Sequence, residues 1–208
     1  MSVRLQVALD SPAGFAVLPA IAPFLDIVEV GTPLLKRFGL AAITTVATLA
    51  PGVPVLADSK TVDGAADECA MLFDAGAAFV TVLSTAGPDT LVAAGRAARA
   101  RGRAIVLDTI LEADPLAALG RGYPDGITAL ALHTATDARL AGRDGGAGGW
   151  ADAGRLASPL DLVVAGGIGP DTVGAALAAG PAVVVVGQAI IGAVDPVAAA
   201  RDLRAALT

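Results

Sequence analysis

Histidine, cysteine, tryptophan and tyrosine each occur once in this chain of 208 residues, and lysine only twice, at Lys36 and Lys60. A single cysteine, Cys69, cannot close an internal disulfide. Its place in an apolar helical pattern from Ala65 to Ala75 predicts a buried structural thiol. Aromatic residues make up 3% of a chain that is 55% hydrophobic, so the core must be built from Ala, Val, Leu and Ile. No apolar run approaches the roughly 20 residues that span a bilayer, because Gly, Pro or charge interrupts each one. The amino-terminal stretch has one early Arg and meets Asp10 without a long apolar region or a cleavage site. A soluble, cytoplasmic protein with no membrane partner is expected. There is no basic stripe with interleaved aromatics, and the net charge is −6, which argues against nucleic acid as a partner.

Within those limits, strand-like and helix-like segments alternate along the whole chain. Apolar or β-branched runs fall at Leu5–Leu9, Ile27–Val30, Val53–Ala57, Phe79–Leu83, Ala104–Leu107, Ile127–Leu132, Leu160–Ala165 and Ala182–Val186. Ala-rich stretches with helical spacing lie between them, as at Leu91–Arg99 and Val173–Ala179. Several runs are apolar at every position, as expected of strands covered on both faces. Eight strands, each followed by a helical piece, predict a single-domain (β/α)8 TIM barrel over residues 1–208. An open doubly wound sheet is the competing architecture. It would need a Gly-rich phosphate loop after the first strand, where this chain has Leu9-Asp10-Ser11-Pro12. Glycines crowd the segment from Ala141 to Asp152, which reads equally as a loop closing over the barrel mouth or as a surface turn.

In such a barrel the carboxyl ends of the strands share one rim, and polar residues there read as functional. The rim would hold Asp10, Glu29, Asp58 with Lys60, Ser84, Asp108, His133, Gly166-Gly167 and Gly187-Gln188. Lys60 lies in Asp58-Ser59-Lys60-Thr61-Val62-Asp63, between two carboxylates that should hold it as an ammonium. That favours a fixed cation over an amine nucleophile, and so argues against a Schiff-base aldolase. By strand alternation Glu29 shares a face with Ile27, and a Glu in an apolar strand end needs a partner. Glu29 and Asp58 together suit one hard cation such as Mg²⁺; a salt bridge from Glu29 to Lys60 is the alternative. His133, at a rim rich in carboxylates, reads as a proton carrier rather than a structural histidine. Glycines after the seventh and eighth strands, at Gly166-Gly167 and at Gly187 before Gln188, suggest a phosphorylated ligand held by backbone N–H groups.

These segments resemble the orotidine-monophosphate-decarboxylase-like barrels, and within them the 3-hexulose-6-phosphate synthase branch. The likeness is carried in order by Leu5-Gln6-Val7-Ala8-Leu9-Asp10, Glu29-Val30-Gly31-Thr32-Pro33-Leu34, Ala57-Asp58-Ser59-Lys60-Thr61-Val62-Asp63, Val80-Thr81-Val82-Leu83, Ala165-Gly166-Gly167 and Gly192-Ala193-Val194-Asp195-Pro196. The resemblance implies Mg²⁺ on Glu29 and Asp58, and catalytic roles for Asp58, Lys60, Asp63, Asp108 and His133. It places substrate contacts at Asp10 and Thr32, and phosphate at Gly166, Gly167, Gly187 and Gln188. It also implies a homodimer with shared sites, Asp63 reaching into the partner's. The expected reaction is a reversible aldol addition of formaldehyde to D-ribulose 5-phosphate. The sibling 3-keto-L-gulonate-6-phosphate decarboxylases typically carry Arg three residues after the site histidine and Glu at the position of Asp108; this chain has Thr136 and Asp108. Ser59, Val62 and Gln188 depart from the synthase pattern, where two Met and a Gly are common. A non-catalytic sugar-phosphate-binding homologue would be expected to have lost some of these rim residues.

Overall fold

The computed structural model describes residues 2–142, 150, 152–153 and 158–208. Eight strands, β1 (Arg4–Leu9), β2 (Ile27–Val30), β3 (Val55–Thr61), β4 (Phe79–Leu83), β5 (Ala104–Asp108), β6 (Ile127–His133), β7 (Asp161–Ala165) and β8 (Val183–Val186), pair in chain order into a closed parallel barrel. The predicted (β/α)8 barrel is therefore the observed fold. Closure is made by β1 against β8, with Arg4, Leu5, Gln6 and Val7 opposite Val183, Val184, Val185 and Val186. Among the described residues no helix is long and apolar enough to cross a membrane.

The strand period of two divides the core into two shells. Leu5, Val7, Leu9, Val28, Val30, Leu107, Leu130 and Val164 point outward and are covered by helices. Ile27, Leu56, Val106, Ala129, Ala131, Val163, Ala165, Val183 and Val185 fill the barrel interior. The inward side chains are branched lower down and shrink to Ala8, Ala131, Ala165 and Gly187 toward the carboxyl ends, which opens a cleft there. Helix α1 (Ala13–Ile21) follows β1, and α2 (Thr32–Phe38) and α3 (Ala41–Leu49) follow β2. After β3 comes α4 (Ala65–Asp74), which buries Cys69 completely, as expected. Burial pushes that thiol up to about 12 and leaves it unreactive at neutral pH. The remaining helices are α5 (Pro88–Arg99), α6 (Pro115–Leu119), α7 (Thr136–Leu140), α8 (Val173–Leu177), α9 (Gln188–Ile191) and α10 (Pro196–Ala206). The Asp195-Pro196 pair in the last family segment proves to be a helix start. The Asp195 carboxylate accepts from the Ala198 N–H, and Pro196 takes the first turn, where no N–H is needed.

One strand departs from expectation. β3 does not stop at Ala57 but runs through Asp58, Ser59 and Lys60 to Thr61. Its register against β4 slips on the way: Ala57 pairs with Val80, yet Thr61 pairs with Val82. Lys60 sits in this bulge with φ of 50°, and among the described residues it is the one non-glycine with a left-handed backbone. The glycine-rich segment expected to close over the mouth includes residues 143–149, which lie outside the described residues.

Candidate active site

A cleft of about 860 Å³ opens at the carboxyl ends of the strands. Its lining includes Asp10, Glu29, Thr32, Asp58, Lys60, Asp108, His133, Gly166, Gly167, Gly187 and Gln188, so the fold brings together eleven of the twelve residues expected to take catalytic, substrate or metal roles. The exception is Asp63. It lies beyond β3, exposed, with its Oδ1 accepting from the Gly64 N–H at 2.8 Å. It does not flank Lys60, contrary to the reading of the hexapeptide, because the bulge carries the chain away from the cleft after Thr61. Ser84 is also outside: its hydroxyl donates to Glu112 Oε1 at 2.8 Å, and Arg121 pairs with the same carboxylate.

The second carboxylate on Lys60 is Asp108, from β5. Lys60 Nζ is 3.0 Å from Asp58 Oδ1 and 2.5 Å from Asp108 Oδ2. Burial works against the ammonium, but Asp58 and Asp108 outweigh it and hold Lys60 above the usual lysine range. Lys60 is a fixed cation, as expected, though with a different pair of anions. His133 Nδ1 lies 3.0 Å from Asp108 Oδ2. Burial disfavours the Asp108 charge, yet the hydrogen bond and charge of His133, with Lys60, bring its carboxyl down to about 2. An ionised Asp108 calls for a hydrogen on Nδ1, and in the neutral imidazole that tautomer makes Nε2 the acceptor. The triad Lys60–Asp108–His133 thus joins three strands through one oxygen.

Asp58 is held from three sides. Thr32 Oγ1 donates to its Oδ2 at 2.8 Å, Thr81 Oγ1 to its Oδ1 at 2.8 Å, and Lys60 to Oδ1 as described. Thr81 also accepts from the Lys60 N–H at 2.9 Å, so it clamps the bulge. Glu29 does not pair with Lys60. Its Oε2 accepts from Gln6 Nε2 at 2.6 Å, leaving Oε1 without a partner among the described residues. Removal from bulk water, and then the charge of Asp58, push Glu29 up to about 8. Oxygen-only donors with spare lone pairs, and two carboxylates that repel one another, fit a hard divalent cation that takes its other ligands from water or substrate. Among the described residues no cluster of three His, Cys, Asp or Glu makes an all-protein metal cage.

Backbone geometry explains two glycines of the expected segments. A Cβ on Gly31, just after β2, would meet the Leu9 carbonyl oxygen at 2.9 Å and crowd the Asp10 carboxylate, so glycine suits this close approach to β1. Gly166 has φ of 105°, and a Cβ there would meet the Thr134 carbonyl oxygen at 2.5 Å. At this end of the cleft the N–H groups of Gly167 and Ile168 have no acceptor among the described residues.

The order and geometry of these residues agree with a match, over residues 3–203, to the model of the orotidine 5'-phosphate decarboxylase / HUMPS family. The chain belongs to this family. A curated member, the 3-hexulose-6-phosphate synthase of Mycobacterium gastri, is 37% identical over 215 residues, covering 99% of this chain and 100% of that protein. The crystal structure of 3-hexulose-6-phosphate synthase from Salmonella typhimurium superposes with a TM-score of 0.89 at 36% identity, covering 99% of this chain and 98% of the other. The 3-keto-L-gulonate-6-phosphate decarboxylase of Vibrio cholerae superposes at 0.80 with 27% identity over the whole of both chains. The protein is accordingly an enzyme of the family's carbon–carbon lyase kind.

Three residues in or beside the site were not singled out from sequence. Gln6 had a signal, since it is a polar residue on the inward phase that leads through Ala8 to Asp10 in an apolar strand. Thr81 falls in a segment that carried the resemblance but had no chemical signal of its own, because a threonine between valines is an ordinary strand residue. Arg139, which also lines the cleft, stands on a short helix whose inward face cannot be read from its five residues.

Proposed function

We propose that the protein is a Mg²⁺-dependent aldolase that joins formaldehyde to D-ribulose 5-phosphate, giving 3-hexulose 6-phosphate by way of an enediolate. The observation that carries this is the Lys60–Asp108–His133 triad standing beside the Glu29/Asp58 carboxylate pair in one cleft. Supporting it, synthases of the family match at 31–37% identity, against 27% for the Vibrio cholerae decarboxylase. Thr136 and Asp108 stand where those decarboxylases would have Arg and Glu.

When bound at Glu29 and Asp58, Mg²⁺ supplies Lewis-acid stabilisation of the charge that develops on the ketose oxygens. His133 Nε2 takes the proton from the carbon beside the substrate carbonyl, and Asp108 steadies the imidazolium that forms. Lys60 stays an ammonium next to the developing oxyanion and stabilises it without reorganising. The nucleophilic carbon then bonds to the formaldehyde carbon. The formaldehyde oxygen becomes the new hydroxyl, with His133 returning the proton. Asp10 and Thr32 line the polyol end, and Gly166, Gly167, Gly187 and Gln188 receive the phosphate. The active unit is a homodimer in which Asp63 serves the partner's cleft.

The test is to incubate the protein with ribulose 5-phosphate, formaldehyde and Mg²⁺ and follow formaldehyde loss. Turnover should vanish with EDTA and return with Mg²⁺; turnover that survives full chelation would overturn the metal's role. A parallel incubation with 3-keto-L-gulonate 6-phosphate should release no CO₂ above background, and rapid release would transfer the reading to the sibling reaction. Failure of both incubations would favour a binding homologue without catalysis.

A further inference from the structure

We propose that Arg139 is the cationic anchor of this cleft for a substrate phosphate. The inference rests on the sugar-phosphate reading above and adds to it a residue outside the family segments that carried the resemblance. Arg139 lines the cleft from α7, and its side chain passes close to Gly167: a Cβ built on that glycine would meet Arg139 Cδ at 2.6 Å and Nε at 3.3 Å. The N–H groups of Gly167 and Ile168, lacking acceptors among the described residues, lie beside it. A guanidinium and two unsatisfied backbone N–H groups therefore stand side by side in the cleft, the two kinds of donor that recur in phosphate sites.

Charge points the same way. Asp10, Glu29, Asp58, Asp108, Asp137 and Asp171 all line this cleft. A dianionic phosphate entering a wall of carboxylates needs a cation where it lands. Lys60 is committed to Asp58 and Asp108. Among the described residues the Arg139 guanidinium has no carboxylate partner, so it is available. The amide of Gln188 does not substitute for it, since it carries no charge and folds back toward Gly192.

The test uses Arg139→Gln and Arg139→Lys in the full chain. Calorimetry with inorganic phosphate in metal-free buffer should show binding to the wild type that weakens about 10- to 100-fold in Arg139→Gln, the worth of charged hydrogen bonds. Arg139→Lys should recover part of the loss, because it restores the charge but not the fork. The KM for ribulose 5-phosphate should rise by a similar factor, with kcat at saturation within about threefold of wild type. Arg99→Gln, an exposed position paired with Asp125, serves as the control with unchanged binding. Phosphate binding equal in Arg139→Gln and wild type, or absent from the wild type, would overturn the proposal. Loss of phosphate binding in Arg139→Gln from a wild type that fails to condense formaldehyde would uphold the anchor and reject only the synthase reading.

Discussion

Asp108 accepts from both Lys60 and His133 through the same oxygen, so its ionisation couples the site's cation to its proton carrier. Its carboxyl falls from 3.8 to about 2 in the folded protein. A lowered acid stabilises the fold fully above the unfolded value and loses that contribution as pH falls through the folded one. At 3% exposure Asp108 is little screened, so Asp108→Asn should cost about 2 kcal/mol in urea denaturation at pH 7. The difference should shrink between pH 4 and pH 2. Lys60→Ala should lower kcat by about 10²- to 10³-fold, the scale of losing an oxyanion donor. Borohydride with a ketose phosphate should trap no adduct at Lys60, because an ammonium held by two carboxylates is not a nucleophile. Glu29 carries the opposite sign. Its folded pKa is raised to about 8, so it is largely protonated at pH 7 without metal. Mg²⁺ binding at pH 7 should therefore release close to one proton, and almost none above pH 9, as read by calorimetry in buffers of different ionisation enthalpy. The Lys60–Asp58 pair was legible because the partners are two residues apart. Asp108 is 48 residues from Lys60, and no local pattern links them. Asp63 looked equivalent to Asp58 because spacing along a strand says nothing about where a bulge turns the chain.

At the level of elements, the apolar runs located all eight strands, since parallel strands buried on both faces are continuous in hydropathy. The end of β3 was hidden for the same reason. Asp58-Ser59-Lys60-Thr61 is polar, and hydrogen bonds rather than hydrophobic burial keep it in the sheet. Ser59 Oγ donates to the Thr81 carbonyl at 2.9 Å, and Thr81 Oγ1 accepts from the Lys60 N–H while donating to Asp58. Thr81→Val keeps the shape and removes both side-chain bonds, leaving a backbone N–H unmet. It should destabilise the protein by about 1–3 kcal/mol and lower kcat, with Thr81→Ser recovering most of both. Thermal unfolding and turnover of the two variants decide this. The helix ends were less legible: α8 stops at Leu177 although the apolar pattern continues to Ala179.

For the whole molecule, the family match runs over residues 3–203, nearly the full chain. If Asp63 serves the partner's cleft, Asp63→Ala and Lys60→Ala subunits are each inactive alone but complement when mixed. Random exchange should restore about a quarter of wild-type activity, since half the dimers are mixed and each keeps one intact site. No recovery after subunit exchange confirmed by mass spectrometry would place Asp63 outside catalysis. The seam between β1 and β8 carries a different consequence, for the order in which the molecule forms. Arg4 and Val183 are far apart in the chain, so this pairing has the largest loop to close and must zip late. Asp10 follows β1 and Gly187 follows β8, with a Cβ on Gly187 only 4.0 Å from Asp10 Oδ2. The two ends of the cleft therefore meet across the last joint to set. In refolding, helical signal should return before catalysis does, and in the interval two open strand edges leave the half-zipped barrel exposed to pairing with its neighbours.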